Sequence, residues 1–379
     1  MSASPAAYRI AVLHYLPAGE TEDAVVGQLS HSLRELGHEP VTVPVDESVR
    51  DVLSRIEKAR CDLVFNVCET FAEDYRLEVN IAALLELARH RFTGSGTTGL
   101  LLAQDKILTK QLLDYHQIQT PRFATFDGIT FETRGTLSFP LIVKPAKSDA
   151  SIGLTLVRDW EGLTKRVRDI RKELDDDALA EEYIEGREMY VGVIGETARP
   201  EILPIVELDF GAAWEADKPQ IATREVKFGP ETKDSPRLVI AKDISDELRS
   251  RMERAALLTY RALKLRDYAR IDFRVSAANE PYILEVNPNP YLEATSEMAL
   301  GAKERGVSYT QLIGRIVDSA AARYKMNKRP AAEGKAPHEP ERKPAEAAAR
   351  PTKEPQDAKA GASEEPTDEP PAADQSAHS

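Results

Sequence analysis

Short apolar runs and amphipathic stripes alternate along the first hundred residues. "YRIAVLH", "PVTVPV" and "DLVFNVC" read as strands, and the third is continuously apolar. Between the first two, Val25, Val26, Leu29, Leu33 and Leu36 recur at helical spacing up to Gly37, a residue favoured just past a helix end. "DVLSRIEKA" repeats the helical pattern, and "LEVNIAALLELARH" does so again before "RFTGSGTTG". Strand and helix in alternation predict a parallel sheet covered on both faces. No G-x-G-x-x-G follows the first strand, so a dinucleotide fingerprint is missing.

Near "YHQIQTPRF" the rhythm changes. "FPLIVKPA", "GLTLV" and "DALAEEYI" read as strands around one helix, "WEGLTKRVRDIRKEL". "EMYVGVIG" and "EILPIVEL" continue as antiparallel strands. A polar loop is expected near 210–243 and a helix at about 245–264. "ARIDFRV" and "PYILEVN" are two strands joined by "SAANE", and a last helix runs at about 308–323. After Tyr324 there is no Val, Ile, Leu, Phe, Tyr or Trp. Such a segment cannot bury enough apolar area to offset its chain entropy, which predicts a disordered tail over 326–379.

Composition narrows the class. A chain of 379 residues exceeds one ordinary core, so two or three domains are expected. No run approaches 18 apolar residues, which excludes a transmembrane helix and membrane insertion. The start "MSASPAAYRIAV" lacks the basic and apolar regions of a signal peptide, so the cytoplasm is the expected compartment. Two cysteines, Cys61 and Cys68, make no disulfide framework. A net charge of −13 argues against nucleic acid as a partner.

The strand pair near the end carries the clearest chemistry. Side chains alternate along a strand, so Arg270, Asp272 and Arg274 share one face, and Ile271, Phe273 and Val275 share the other. In "YILEVN", Glu285 and Asn287 are expected to share a face with Ile283. A hairpin would bring Asp272, Glu285 and Asn287 together as hard oxygen donors suited to Mg²⁺. Arg270 lies two residues from the aspartate and is placed to meet developing charge. The plainer reading of this face is a solvated hairpin surface. Two prolines, Pro288 and Pro290, end the second strand because they cannot continue the ladder.

Lys144 closes the apolar strand "FPLIVKPA", and "KSDASIGL" after it is small and polar, as a flap over phosphates would be. No P-loop exists. Lys106, taken alone, reads as a solvated helix lysine. Glu181, Glu182 and Glu188 flank an apolar strand end and a tight "EG" turn, and taken alone read as a charged hairpin surface.

In order, "FTGSG", "DKILTK", "FPLIVKPAKSDASIGL", "EEYIEGREMYVGVIG", "ARIDFRV", "YILEVNPNPYLEATSEMAL" and "GVSYTQLIGRIV" resemble the ATP-grasp superfamily, and within it the D-alanine–D-alanine ligase family. The resemblance spans about 8–325. It implies an α/β and α+β chain: a parallel pre-ATP-grasp domain over 1–104, a central ATP-grasp subdomain over 105–188, and a C-terminal ATP-grasp subdomain with the metal site over 189–325. By resemblance Lys106 and Lys144 contact ATP phosphates. Glu181, Glu182 and Ile184 line the adenine site, and Glu188 holds ribose. Asp272, Glu285 and Asn287 resemble the ligands of two Mg²⁺ ions, with Mn²⁺ as an alternative. Arg270 resembles the arginine that stabilises the acyl phosphate, and Lys227 a loop lysine at the γ-phosphate. Ser151 occupies the flap serine region, and Ser296 resembles a serine that binds the second amino acid's carboxylate. The implied partners are small amino-acid substrates and a second copy in a homodimer.

The amino-acid half departs from the family pattern. The Gly-Gly turn and Ser-x-Glu after the first strand are replaced by "LHYLPAGETED", with Glu20 and Glu22 as loose candidates. "NVCETFAEDY" replaces a His-Gly motif and offers Glu69. Ala150 stands in place of a flap serine. Tyr291 stands where a glycine usually lines the acceptor region, and its ring is expected to narrow or redirect the pocket. Three readings stay open: a D-alanine–D-alanine ligase of cell-wall peptidoglycan synthesis, an ATP-grasp ligase joining other amino acids or extending a peptide, and an ATP-binding regulatory protein without turnover.

Overall fold

The computed structural model describes residues 7–326, apart from 18, 128–130, 135, 149–150, 212–213, 215–217, 230–231 and 233–234. The expected tail beyond Met326 and the Ala150 position therefore lie outside the described residues.

The first part is the anticipated alternation: β1 (Arg9–Tyr15), α1 (Ala24–Glu35), β2 (Glu39–Val45), α2 (Val49–Ala59), β3 (Leu63–Asn66) and α3 (Glu78–Leu87). The strands pair in parallel in the order β2-β1-β3. Alternation along β1 sends Ile10 and Val12 to one core with Val26, Leu29 and Leu33 of α1, and Ala11 and Leu13 to another with Val52, Ile56, Ile81 and Leu85. Both faces are thus covered, as continuous apolar strands require. Asp23 and Ser48 cap α1 and α2 through their side chains. Two further helices, α4 (Thr97–Gln104) and α5 (Lys106–Tyr115), follow. Asp105 separates them and caps α5 by accepting from Ile107 and Leu108 N–H groups.

The middle part holds β4 (Phe123–Phe126), β5 (Phe131–Arg134), β6 (Leu141–Pro145), β7 (Thr155–Val157), α6 (Trp160–Leu174) and β8 (Ala178–Glu182). Its strands form an antiparallel sheet in the order β5-β4-β8-β6-β7. Leu163 and Ile170 of α6 pack on Leu141, Val143 and Ala180 of that sheet.

The last part begins with β9 (Gly186–Gly195), β10 (Glu201–Ile202) and β11 (Val206–Asp209). "EILPIVEL" is therefore two strands rather than one. Proline cannot donate to a ladder, and the chain breaks around Pro204 while Leu203 N–H still reaches Gly192 O. The stretch read as a polar loop contains α7 (Arg224–Phe228) and β12 (Arg237–Ile240). Then come α8 (Asp246–Ala262), β13 (Asp267–Ser276), β14 (Pro281–Asn287), α9 (Glu297–Glu304) and α10 (Tyr309–Arg323). The sheet order is β12-β11-β9-β13-β14, with β10 beside β9. Ile271, Phe273, Ile283 and Val286 bury one face against Met252, Ala256 and Tyr260 of α8. α10 packs back on α1 through Leu312 and Ile316.

Candidate functional site

The polar face of β13 and β14 opens into a cleft. Register places Arg270 opposite Asn287 and Asp272 opposite Glu285. A β-bulge between Asp272 and Phe273 then shifts the pairing, so that Phe273 faces Ile283. This corrects the expectation that Ile283 shares the Glu285 face. An extra residue inverts the alternation on one side of the bulge, so Ile283 joins the core while Leu284 and Glu285 both line the cleft. The solvated-hairpin reading fails with it, because Asp272 is buried.

Asp272 is held on three sides. Arg270 Nε and Nη2 donate to its two oxygens at 2.7 and 2.9 Å, and Asn287 Nδ2 donates to Oδ2 at 3.0 Å. Arg270 also donates to Glu297 Oε2 at 3.1 Å and lies over the Tyr190 ring. Burial pushes the Asp272 carboxyl up to about 6 against the pull of Arg270. Burial would raise Glu285 too, but Lys106, Lys144, Lys227 and Arg270 outweigh it and hold that carboxyl down to about 2. Two carboxylates in register with a side-chain amide are a hard-oxygen set that fits Mg²⁺.

The lysines converge on the same cleft. Lys106, expected at the surface when read alone, is 7% exposed, with Nζ 3.4 Å from Glu285 Oε1. It sits at the first position of α5, and Asp105 turns the chain inward there. Lys144 is the penultimate residue of β6, with Nζ 2.5 Å from Glu181 Oε2. Glu181 is 2% exposed and Glu188 is buried too, so neither belongs to a charged hairpin surface. Glu188 accepts from Arg274 Nη1 at 3.1 Å and from Tyr190 Oη at 3.0 Å. Glu182 forms a two-point contact with Arg122 at 2.9 and 2.5 Å. The carbonyl of Ile184 accepts from Arg274 Nε at 2.9 Å. Ile142, Leu154, Ile184, Ile221 and Leu284 give this end of the cleft apolar walls, as a flat heterocycle requires.

Ser151 donates to Ala222 O at 2.8 Å, tying the flap to the segment before α7. Lys227 of α7 lines both the apolar end and an adjoining larger cleft of about 710 Å³. The larger cleft is lined by Arg270, Asn287, Tyr291 and Ser296. Ser296 precedes α9 without capping it, and its buried Oγ has no hydrogen-bond partner among the described residues. Of the loose candidates, Glu69 reaches this cleft. Glu22 lies instead 3.3 Å from His14 Nε2, and Glu20 does not line the cleft.

Sequence reasoning missed four participants. Lys110, one helical turn after Lys106, is buried with Nζ 2.5 Å from Glu181 Oε1; the i, i+4 spacing from Lys106 was its signal. Arg274 was read only as a face-mate of Asp272. Asp23 and Glu78 also line the larger cleft. Asn289 Nδ2 donates to Glu78 Oε1 at 3.1 Å, which brings "NPNPY" against the first part of the chain. No local pattern announces such a contact.

Comparison with known proteins identifies relatives of the chain. The family model described as D-ala D-ala ligase C-terminus matches residues 110–318. The uncharacterized protein y4sG of Sinorhizobium fredii is 36% identical over 319 residues, covering 81% of this chain and 89% of that protein. The D-alanine–D-alanine ligase of Carboxydothermus hydrogenoformans is 30% identical over 296 residues, covering 76% of this chain and 89% of its own. A crystal structure of D-alanine–D-alanine ligase from Bacillus anthracis complexed with ATP superposes with a TM-score of 0.64 at 22% identity. That match covers 83% of this chain and 98% of the other, and establishes likeness of fold.

Proposed function

This chain belongs to the D-alanine–D-alanine ligase family of ATP-grasp enzymes, and we propose that it joins a carboxylate to an amine at the expense of ATP through an acyl phosphate. The observation that carries the reading is the in-register pair Asp272 and Glu285, with Arg270 beside it and Lys106, Lys144 and Lys227 facing the same cleft. A phosphoryl transfer needs positioning and concentrated positive charge more than a nucleophilic side chain.

The adenine lies between the apolar walls near Ile184, with Glu181 and Glu182 at its edge. Glu188 faces the ribose, and Lys106, Lys144 and Lys227 meet the phosphates. Asp272, Glu285 and the Asn287 amide oxygen would hold Mg²⁺, which would supply positive charge against the phosphate oxygens. A substrate carboxylate oxygen attacks the γ-phosphorus, and ADP leaves. The amine of the second substrate then attacks the acyl carbon, and inorganic phosphate leaves. Arg270 stabilises the negative oxygens of both steps. The unpartnered Ser296 hydroxyl donates to the carboxylate of the second amino acid.

The lead substrate reading is D-alanine with D-alanine, for cell-wall peptidoglycan. One observation favours a second reading, a ligase for other amino acids. Tyr291 stands in the acceptor region and is anchored across the cleft mouth to Asp23 at 2.7 Å. No helix among the described residues is long and apolar enough to cross a membrane. We place the reaction in the cytoplasm, where ATP is supplied. The division near 104 and 188 into three domains is part of the same proposal, as is pairing into a homodimer.

Hydroxylamine trapping tests the chemistry. With ATP, Mg²⁺ and an amino acid, the account expects a hydroxamate and ADP. Formation of AMP and pyrophosphate would exclude the acyl-phosphate route.

A further inference from the structure

Lys110 stands outside the roles assigned above, yet it is among the most buried charges in the protein. Its ammonium lies 2.5 Å from Glu181 Oε1 and donates to Ile283 O at 2.7 Å and to Thr120 Oγ1 at 2.5 Å. Lys144 Nζ lies 2.5 Å from the other oxygen of the same carboxylate. One glutamate is thus shared by two lysines, and all three are buried. Ile283 is the residue just before Leu284 and Glu285, where the β-bulge turns those side chains into the cleft. Lys110 therefore touches all three supports of the site: α5, the middle sheet and β14.

The charge count decides what this arrangement does. Two ammonium groups and one carboxylate sum to one positive charge. Lys144 with Glu181 alone would sum to zero, and a neutral pair attracts a phosphate far less than a lone cation does in a poorly solvated site. We propose that Lys110 is a positioning residue that offsets Glu181 and so leaves the charge of Lys144 available to the phosphates of the nucleotide. Burial brings the Lys110 ammonium down to about 8, against the support of Glu181, so it remains mainly protonated at neutral pH. Glu181 is held below the usual carboxylate range because Lys110 and Lys144 outweigh its burial. The inference rests on the reading of Lys144 as a phosphate ligand.

The test is equilibrium binding of a non-hydrolysable ATP analogue with Mg²⁺, compared with adenosine, to wild type and variants. Lys110→Met is expected to weaken the analogue about tenfold and adenosine less than about twofold, because adenosine carries no charge. Glu181 also stands at the adenine edge, so variants at that position are judged by the ratio of analogue to adenosine affinity, which cancels a change at the base. Adding Glu181→Gln to Lys110→Met restores one positive charge and brings that ratio back to within about threefold of wild type. Glu181→Gln alone is expected to leave the ratio no lower than in wild type, and it decides the question if the Lys110→Met chains fail to fold. A Lys110→Met loss equal for analogue and adenosine, a ratio in the double variant no better than in Lys110→Met, or a lower ratio in Glu181→Gln would overturn the proposal and leave Lys110 a structural tie. Lys144→Met separates the two layers. If it leaves analogue binding unchanged, the phosphate role of Lys144 fails; if it weakens binding while Lys110→Met does not, only the Lys110 inference fails.

Discussion

Tyr291 Oη donates to Asp23 Oδ1 at 2.7 Å, so the residue that follows the double-proline end of β14 is fastened to the cap of α1, 268 positions away in the chain. The ring was expected to narrow or redirect the acceptor pocket. It lines the larger cleft, and its hydroxyl joins Tyr291 to Asp23 across that cleft.

Tyr291→Phe removes this bond and keeps the ring. The account expects the KM of the amine substrate to change by about fivefold, the scale of one ordinary solvent-exposed hydrogen bond of about 1 kcal/mol. The KM of ATP stays constant. Steady-state kinetics with each substrate varied in turn checks this, and an equal shift in both constants would contradict it.

Glu285→Gln keeps the shape of the side chain and removes a charge from the metal face. ADP formation is expected to fall by about a hundredfold or more. The melting temperature of the metal-free protein is expected to fall as well, because Lys106, Lys144, Lys227 and Arg270, which hold this carboxyl down to about 2, lose its charge. Turnover near wild type would contradict the metal assignment.

The buried lysine–carboxylate group gives stability a pH dependence. Glu181 titrates lower in the folded than in the unfolded chain. Its contribution is therefore fully present above the ordinary carboxylate value of 4.5 and is lost as pH falls below it toward the folded value. Melting curves of metal-free protein should decline with falling pH in that window. Glu181→Gln should flatten the decline and lower stability at neutral pH, since two buried ammonium groups lose their shared partner.

Asn289 joins Glu78 on one side and accepts from Tyr268 Oη on the other. Asn289→Leu removes both hydrogen bonds and takes this acceptor from the buried Tyr268 hydroxyl, and is expected to destabilise the fold by about 2 kcal/mol. Denaturant unfolding measures it. A neutral result would mean water replaces the amide on both sides.

Much of this was legible in the sequence because it depends on short-range periodicity. Asp272 beside Arg270 on one strand face follows from a period of two, and the three-strand parallel start follows from apolar runs with helical stripes between them. The phase of β14 was not legible. A bulge shifts alternation without marking the sequence, so Ile283 was placed on the wrong face. Lys106, read apart from the family resemblance, was misjudged as solvated, and Lys110 was missed, for a related reason. Their burial is decided by strands arriving from residues 144, 181 and 283, and a helical lysine looks the same whether it meets water or a carboxylate. Asp23, Glu78 and Asn289 meet only through tertiary packing. The covalent spacing that makes Asp272 readable does not exist for them.

The most direct test is ADP release with Mg²⁺ and ATP across single and paired D- and L-amino acids, with products read by mass spectrometry. The account predicts ADP released in step with a new amide between two amino acids, with D-alanyl-D-alanine the lead product and another dipeptide the mark of altered specificity at Tyr291. Nucleotide binding with no ADP release on any pair would contradict the ligase assignment itself.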